Sequence, residues 1–347
     1  MSEFNEFLTI ASGIKLINAE LDRSLSPVLL VGSQRGIHQL EGYGLKFGSN
    51  VEVIDEVSSH PTLEEVRKTM SRFPRFQSFE VIAIGGGSAI DFAKGLILEF
   101  EKIGIKCQKF QAVPTTAGSG SECTTFATFW DGATKQSLDD ESLLPGNAIY
   151  IPELLRSQTA KQFVAATSDA VAHSLDTLWN KNATSESNGY AEAALKLLLP
   201  VVEFLPNQPT NAPPSLLQAA QHGAALAGQA INISRTSISH ALSYPLTTRL
   251  EIPHGLATGL TLRSILNIVL DSEIEEELRS RLQKYIGMAA KVTGSTLGFL
   301  VSESVDISKL VPTLVQDTLG YSRLNNFVMD VTASDLEQVL IDSFFIP

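Results

Sequence analysis

The sequence has 347 residues, with 26 Lys plus Arg against 38 Asp plus Glu, so the net charge is −12. Apolar residues make up 44% and charged residues 18%, which is enough to bury full-sized cores and excludes a disordered chain. The acidic balance argues against a nucleic-acid binder with a basic footprint and against a polybasic membrane anchor.

A length of about twice ~150 residues predicts two domains. The start, Met1–Glu6, carries two Glu and no Lys or Arg, unlike the basic start of a secretory signal. Val28–Val31, followed by Gly32, reads as a strand and turn, and Val51–Ile54 as a second strand. Pro61–Phe73 reads as a helix, with Glu64 and Glu65 near its start and Lys68 and Arg72 near its end. Val81–Ile84 is a third strand that runs into Gly85-Gly86-Gly87, and Ala89–Glu101 follows with helical spacing. Phe110–Val113 is a fourth strand, ending at Pro114. Such alternation predicts a mostly parallel sheet with helices on both faces. Cys107 and Cys123 are the two cysteines, too few for a disulfide framework, and a reducing cytoplasm is the expected compartment.

The pattern changes near Pro152. Beyond it, helical stretches are predicted at about 158–179, 184–204, 215–232, 253–270 and 273–292. Pro206–Pro214 reads as a loop, and the helix that holds His240 is expected to end before Pro245. The apolar run Leu197–Val202 is broken by Pro200, far short of the ~18 residues of a membrane span. The predicted domains are 1–152, α/β, and 153–347, all-helical.

Three features carry chemistry. Gly85-Gly86-Gly87-Ser88 lies between a strand and a helix, where a glycine backbone and a helix N-terminus suit a pyrophosphate. It is neither the standard dinucleotide fingerprint nor a Walker A loop, since Ile90 stands where a third glycine would. Pro114-Thr-Thr-Ala-Gly-Ser-Gly-Ser-Glu122 offers the hydroxyls of Thr115, Thr116, Ser119 and Ser121 at another strand end. Asp169 and His173 share a helical face, and with His240 and His254 they form a donor set for a divalent first-row metal. His38, His60 and His222 read as structural or surface residues.

These blocks, in this order, resemble the iron-containing (group III) alcohol dehydrogenases over nearly the whole chain. Gly85, Gly86, Gly87 and Ser88 with Asp91 and Lys94 resemble the pyrophosphate loop of that family. Residues 114–122 resemble its second nucleotide loop, Asp169-x-x-x-His173 its first two metal ligands, and His240 with Pro253-His254-Gly255 its last two. The resemblance implies a Rossmann-like N-terminal domain, a helical C-terminal domain of the dehydroquinate synthase-like type, and an active site in the cleft between them. It implies reversible hydride transfer between NAD(P)H and a small aldehyde, with Fe²⁺ as the metal and Zn²⁺ as its alternative, in a homodimer without nucleic-acid or membrane partners.

Two departures from the family pattern refine this. The stretch Val31-Gly32-Ser33-Gln34-Arg35 has no acid where NAD-using members often place one, so Ser33 and Arg35 predict a preference for NADPH over NADH. Tyr244 replaces a further His, and its block is similar to the branch that includes phosphonoacetaldehyde reductases. That branch implies phosphonoacetaldehyde as substrate. A phosphonate dianion needs cationic partners, for which Arg235, Arg249 and Lys181 are the candidates, and the Tyr244 hydroxyl can donate as a proton relay or substrate-binding group. The rival readings are a reductase of a neutral short-chain aldehyde or ketone, a dehydroquinate-synthase-like lyase, and a non-catalytic nucleotide-binding protein.

Overall fold

The computed structural model describes residues 7–73, 77–132, 134–300 and 309–344, so the acidic start Met1–Glu6 lies outside the described residues. The chain divides into two compact units, Met1–Arg156 and Ser157–Pro347.

The first unit begins with α1 (Ile10–Arg23), β1 (Val28–Gly32), α2 (Gln34–Gly42), β2 (Val51–Ile54) and α3 (Leu63–Met70). It continues with β3 (Ser78–Gly85), α4 (Gly87–Glu101), β4 (Lys106–Pro114), β5 (Phe126–Asp131), β6 (Thr134–Asp139) and β7 (Asn147–Ala148). Five strands pair in the order β2-β1-β3-β4-β7, and every pairing is parallel. All of β1 is buried, as expected of a strand covered on both faces. Alternation divides its side chains. Leu29 and Val31 join Val81, Ala83 and the α4 residues Phe92, Leu96 and Phe100 in one core. Leu30 joins Ile82, Ile84 and residues of α1 and α2, including Ile17 and Leu40, in the other.

The strand order reverses at β1. The chain goes from β1 outward to β2, then returns to β3 on the other side, with Gly32 level with Ile84. The carboxyl ends of β1 and β3 therefore flank a topological switch point, the usual ligand crevice of an open parallel sheet.

Pro61–Phe73 proves to be a shorter helix. Thr62 and Glu65 form a reciprocal capping box that fixes its start at Leu63. The antiparallel β5–β6 hairpin has no counterpart in the sequence reading. Its second strand is rich in Thr, Gln and Ser, and only Ala127 and Phe129 of the first are buried against α4 and its neighbours.

The second unit is helical: α5 (Ala160–Leu178), α6 (Ser185–Phe204), α7 (Pro214–Ser234), α8 (Ile238–Leu250) and α9 (His254–Asp271) come first. They are followed by α10 (Glu276–Gln283), α11 (Ile286–Leu300), α12 (Val311–Leu319) and α13 (Ala333–Phe344). Helix α5 is central, packing on α6, α7 and α9, and every residue from Thr167 to Leu178 is buried. The stretch expected as one helix at 273–292 is two, α10 and α11, separated by a tight turn in which Tyr285 N–H donates to the Leu282 carbonyl. Helix α8 does not end before Pro245 but runs through it to Leu250. An interior proline costs roughly 3 kcal/mol. Burial of nine consecutive residues, Ile238 through Leu246, holds the helix together across it. Among the described residues no helix is long and apolar enough to cross a membrane.

One buried cation organises the first unit. Lys94 of α4 is fully buried, and its Nζ donates to the carbonyls of Ser121 (2.7 Å), Thr124 (2.8 Å) and Phe126 (2.8 Å). Burial lowers its pKa to about 8, against the raising influence of Asp91 and Glu122. Lys94→Met would leave these carbonyls without their donor, and a lost buried hydrogen bond costs about 1–3 kcal/mol per stranded group. We expect a loss of about 3 kcal/mol or more in urea unfolding. Lys102→Met removes an exposed lysine from buried Glu99, which stays paired with Arg67 at 3.1 Å, and should cost less than about 1 kcal/mol. Equal midpoints for the two variants would contradict the role given to Lys94.

Candidate metal centre and ligand loops

Three helices of the second unit deliver the donor set. Asp169 and His173 lie one turn apart on α5, His240 lies in the first turn of α8, and His254 opens α9. The approach of α9 to α5 depends on small residues. A Cβ on Gly255 would lie 2.1 Å from the Ala165 carbonyl oxygen, and one on Gly259 would lie 2.6 Å from Ser168 Cβ. Gly255 is thus required where it stands, immediately after His254, by the closeness of the α5 backbone.

Asp169 Oδ1 is the convergence point. It lies 3.6 Å from His240 Nε2, 3.7 Å from His254 Nε2 and 3.8 Å from His173 Nε2. One ligand atom from each of Asp169, His240 and His254 falls within 4.8 Å of the others. His173 stands beside this set, its ring stacked on His240 with centroids 4.7 Å apart. The separations are too long for hydrogen bonds. They are close to the ~3.3–3.6 Å spacing of donors around a tetrahedral ion with bonds of ~2.0–2.2 Å. Asp169 Oδ1 and His240 Nε2 are buried, with no hydrogen-bond partner among the described residues. Buried polar atoms are normally satisfied, and a divalent cation at this point would satisfy both. The residues fit a metal. Burial alone would raise the Asp169 pKa, but in the metal-free site imidazolium forms of His173, His254 and His240 outweigh it and lower it; a divalent cation at this point would act in the same direction on neutral imidazoles.

The imidazoles are oriented by a further layer of hydrogen bonds. His240 Nδ1 lies 2.8 Å from Asp176 Oδ2, and the carboxylate accepts its N–H, leaving the Nε2 lone pair facing Asp169. Ser243 Oγ donates to the His240 carbonyl at 2.8 Å and is left to accept from His254 Nδ1 at 3.2 Å. That again turns a bare Nε2 inward.

Asp176 is the functional residue that the sequence reading missed. It is fully buried and also accepts Ser237 N–H (2.7 Å), Ser239 N–H (3.2 Å) and Trp179 Nε1–H (2.9 Å). It thereby caps the start of α8, whose own N-cap residue Ser237 supplies no side-chain bond. Burial pushes its carboxyl up, but the bonds from His240, Ser237 and Trp179 outweigh this and lower its pKa. A signal was present: Asp176 follows Asp169 by two helical turns on the same face.

Tyr244 is buried one turn after His240, with its ring stacked near His254 at 6.3 Å between centroids. The candidate cations separate. Arg249 is exposed and grips Asp317 through two hydrogen bonds, from Nε and from Nη2 (3.1 Å). Arg235 occupies a left-handed turn (φ 68°) between α7 and α8, where its carbonyl accepts Asn180 Nδ2–H at 3.0 Å. Lys181 pairs with Asp330 at 3.2 Å on the surface.

In the first unit the two predicted loops touch. Thr115 N–H donates to the Gly85 carbonyl at 2.9 Å. A Cβ on Gly87 would lie 2.6 Å from Ser119 Oγ, so only glycine fits there without moving the second loop. Gly86 caps α4 without a side-chain bond, leaving the first N–H groups of a fifteen-residue helix for a ligand. Gly86, Gly87, Ser88, Thr115, Thr116 and Ser119 are partly exposed. Asp91 and Ser121 are turned to each other instead. Ser121 Oγ–H donates to Asp91 at 2.5 Å and Thr128 N–H at 2.9 Å, so Asp91 ties the loops together.

At the end of β1, Ser33 Oγ accepts Gly36 N–H at 3.2 Å and caps α2, and Arg35 is exposed. Residues 31–35 hold no acid, yet a bridge brings Glu56 beside Ser33, where it pairs with Arg72 at 3.1 Å. Reading only the first turn misses this carboxylate, because it arrives from the far end of β2.

If Asp176 orients His240, Asp176→Ala should weaken Zn²⁺ or Fe²⁺ binding by roughly 10–100-fold, the usual effect of removing such a partner. Asp176→Glu should recover part of it. Metal affinity by equilibrium dialysis checks this, and unchanged affinity in Asp176→Ala would contradict it.

Comparison with known proteins agrees with these features. The iron-containing alcohol dehydrogenase family matches residues 14–152. The C-terminal description of the Fe-containing alcohol dehydrogenase family matches residues 163–336. A 1-propanol dehydrogenase of Salmonella typhimurium is 29% identical over 242 residues, or 69% of this chain and 65% of that protein. A phosphonoacetaldehyde reductase of Streptomyces viridochromogenes is 32% identical over 206 residues, or 53% of this chain and 52% of that protein. The chain thus spans about half to two thirds of the length of these curated relatives. The crystal structure of sulfoacetaldehyde reductase from Bifidobacterium kashiwanohense in complex with NAD⁺ has the same fold, with a TM-score of 0.80 at 23% identity, covering 99% of this chain and 97% of that one. A parallel-sheet unit with glycine and hydroxyl loops, a helical unit with a buried Asp–His donor set, and family matches across both make the chain a member of the iron-containing alcohol dehydrogenase family.

Proposed function

We propose that the protein is a metal-dependent aldehyde reductase that uses NADPH in preference to NADH, with phosphonoacetaldehyde as substrate and 2-hydroxyethylphosphonate as product. The observation that carries the reading is the pair of buried donors, Asp169 Oδ1 and His240 Nε2, converging with His254 on one point. A bound divalent ion would supply Lewis-acid polarisation of a carbonyl oxygen, and a nicotinamide would supply the hydride.

The chain's own residues do the rest. Asp169, His173, His240 and His254 would hold the ion, with Asp176 and Ser243 setting the two ring orientations. The N–H groups at the start of α4 and the hydroxyls of Thr115, Thr116 and Ser119 suit a pyrophosphate. Ser33 and Arg35 favour a 2′-phosphate, while Glu56, the opposing charge, is neutralised by Arg72. Tyr244, whose phenol can donate, is the proton source for the substrate oxygen. The phosphonate assignment is supported by the 32% identity to a phosphonoacetaldehyde reductase. A neutral short-chain aldehyde is the second reading, supported by the 29% identity to a 1-propanol dehydrogenase.

The anaerobically purified, Fe²⁺-loaded enzyme should oxidise NADPH with phosphonoacetaldehyde at a kcat/KM at least about tenfold above that with propanal, one well-placed charge contact being worth about that much. Arg35→Ala should lower kcat/KM roughly tenfold with NADPH and leave it nearly unchanged with NADH. Turnover of neutral aldehydes alone would remove the phosphonate reading. A metal-loaded protein without reductase activity on either cofactor would favour a lyase of the dehydroquinate-synthase type.

A further inference from the structure

An acidic substrate faces an electrostatic obstacle in the helical unit. Asp169 and Asp176 are both buried near the donor set, and their two charges offset that of a divalent ion bound there, so an anionic end needs a further cation close by. Of the cations near the donor motif in sequence, Arg249 is committed to Asp317 at the surface and Lys181 to Asp330.

A different arginine meets the requirement. Arg323 comes from a short 3₁₀ turn, Ser322–Asn326, in a part of the chain where no motif is visible. Its Nη1 donates to Oγ1 of the buried Thr236 at 2.6 Å, and Asn326 Nδ2 donates to the Thr236 carbonyl at 2.8 Å. These two bonds seat the turn on the segment between α7 and α8. The guanidinium carbon lies 5.9 Å from the centroid of the Tyr244 ring. That ring lies 6.3 Å from the His254 ring, tilted by only 22°. Cation, phenol and imidazole thus succeed one another, and the last belongs to the donor set. Tyr321 closes the other side, edge-on to Tyr244 at 4.9 Å. Partial burial strengthens the pull of the guanidinium on an anion compared with a surface charge. Its planar fork matches two oxygens of a phosphonate, sulfonate or carboxylate at once.

We infer that Arg323, seated by Thr236 and flanked by Tyr244, is the subsite for the acidic end of the substrate, so the enzyme selects short aldehydes that carry an oxyanion. The inference rests on the reductase reading above, and it places anion recognition in the C-terminal turn rather than at Arg249. The subsite recognises the oxyanion rather than phosphorus. Sulfoacetaldehyde should therefore share the dependence on Arg323, and the ratio of the two acids reports the contribution of charge.

The test is steady-state kinetics of Arg323→Ala, Arg323→Lys and Arg249→Ala with phosphonoacetaldehyde, sulfoacetaldehyde and propanal. Arg323→Ala should raise KM at least about tenfold for both acids, the worth of one charge-assisted contact, with propanal changed less than about twofold. Arg323→Lys should recover part of the loss, and Arg249→Ala should leave all three substrates unchanged. An equal rise in KM for propanal would overturn the subsite and leave Arg323 as a latch on Thr236. A second measurement separates this inference from the reductase reading: binding of the unreactive acid phosphonoacetate by calorimetry. If the parent protein reduces no aldehyde yet binds phosphonoacetate in an Arg323-dependent way, the reductase reading falls and the subsite stands. Equal binding by the parent and Arg323→Ala would overturn the subsite.

Discussion

A carboxylate buried among imidazoles is the constraint on which the helical unit depends. Asp169 has three His Nε2 atoms between 3.6 and 3.8 Å from one of its oxygens. Such a charge is costly in an apolar interior unless cations or strong donors surround it. The helices bring three imidazole nitrogens around it, a set that a divalent cation would complete. Helix α9 comes close enough only because Gly255 and Gly259 present no side chain to α5. Helix α8 starts where it does because Asp176 accepts the N–H groups of Ser237 and Ser239. The same carboxylate turns His240, so the cap of one helix and the orientation of a donor are a single interaction. A metal ion at the convergence point would draw on Asp169, His240 and His254, and its binding free energy would add to the stability of the unit.

The first unit solves a different problem, that of keeping two loops open and close together at strand ends. Glycine at positions 86 and 87 lets the loops approach within contact of Thr116 and Ser119. Lys94 and Asp91 hold them from beneath, one by donating to backbone carbonyls and the other by accepting from Ser121 and Thr128. Both residues belong to the glycine-loop motif, and the bonds they make are to protein groups that hold the loops. The partial positive charge at the start of α4 then faces the switch point of the sheet, where an anionic ligand is best served.

Much of this was legible in the sequence, for identifiable reasons. Three strands of the sheet, β1, β3 and β4, carry short apolar runs ended by Gly or Pro, and the donor set includes an i, i+4 pair on a strongly helical stretch, so local pattern and tertiary placement agree there. The β5–β6 hairpin escaped because its second strand is polar and one-sided. Helix α8 was cut short because proline is a good local stop signal, and here burial on both sides of Pro245 overrides it. Asp176, Glu56 and Arg323 escaped for a common reason. Each acts on a residue far away in sequence, through contacts that only the fold creates: Asp176 with His240, Glu56 with Ser33, and Arg323 with Thr236 and Tyr244. Arg249 flanks the donor motif in sequence and pairs with Asp317 in space.

The most direct test of the account is crystallography of the metal-loaded protein with anomalous scattering collected at the Fe or Zn edge. The account predicts one strong anomalous peak within about 2.0–2.3 Å of Asp169 Oδ1, His240 Nε2 and His254 Nε2, bond lengths usual for oxygen and nitrogen ligands. His173 should turn its Nε2 to the same ion. A peak elsewhere, or a fully loaded protein with no peak at Asp169, would contradict it.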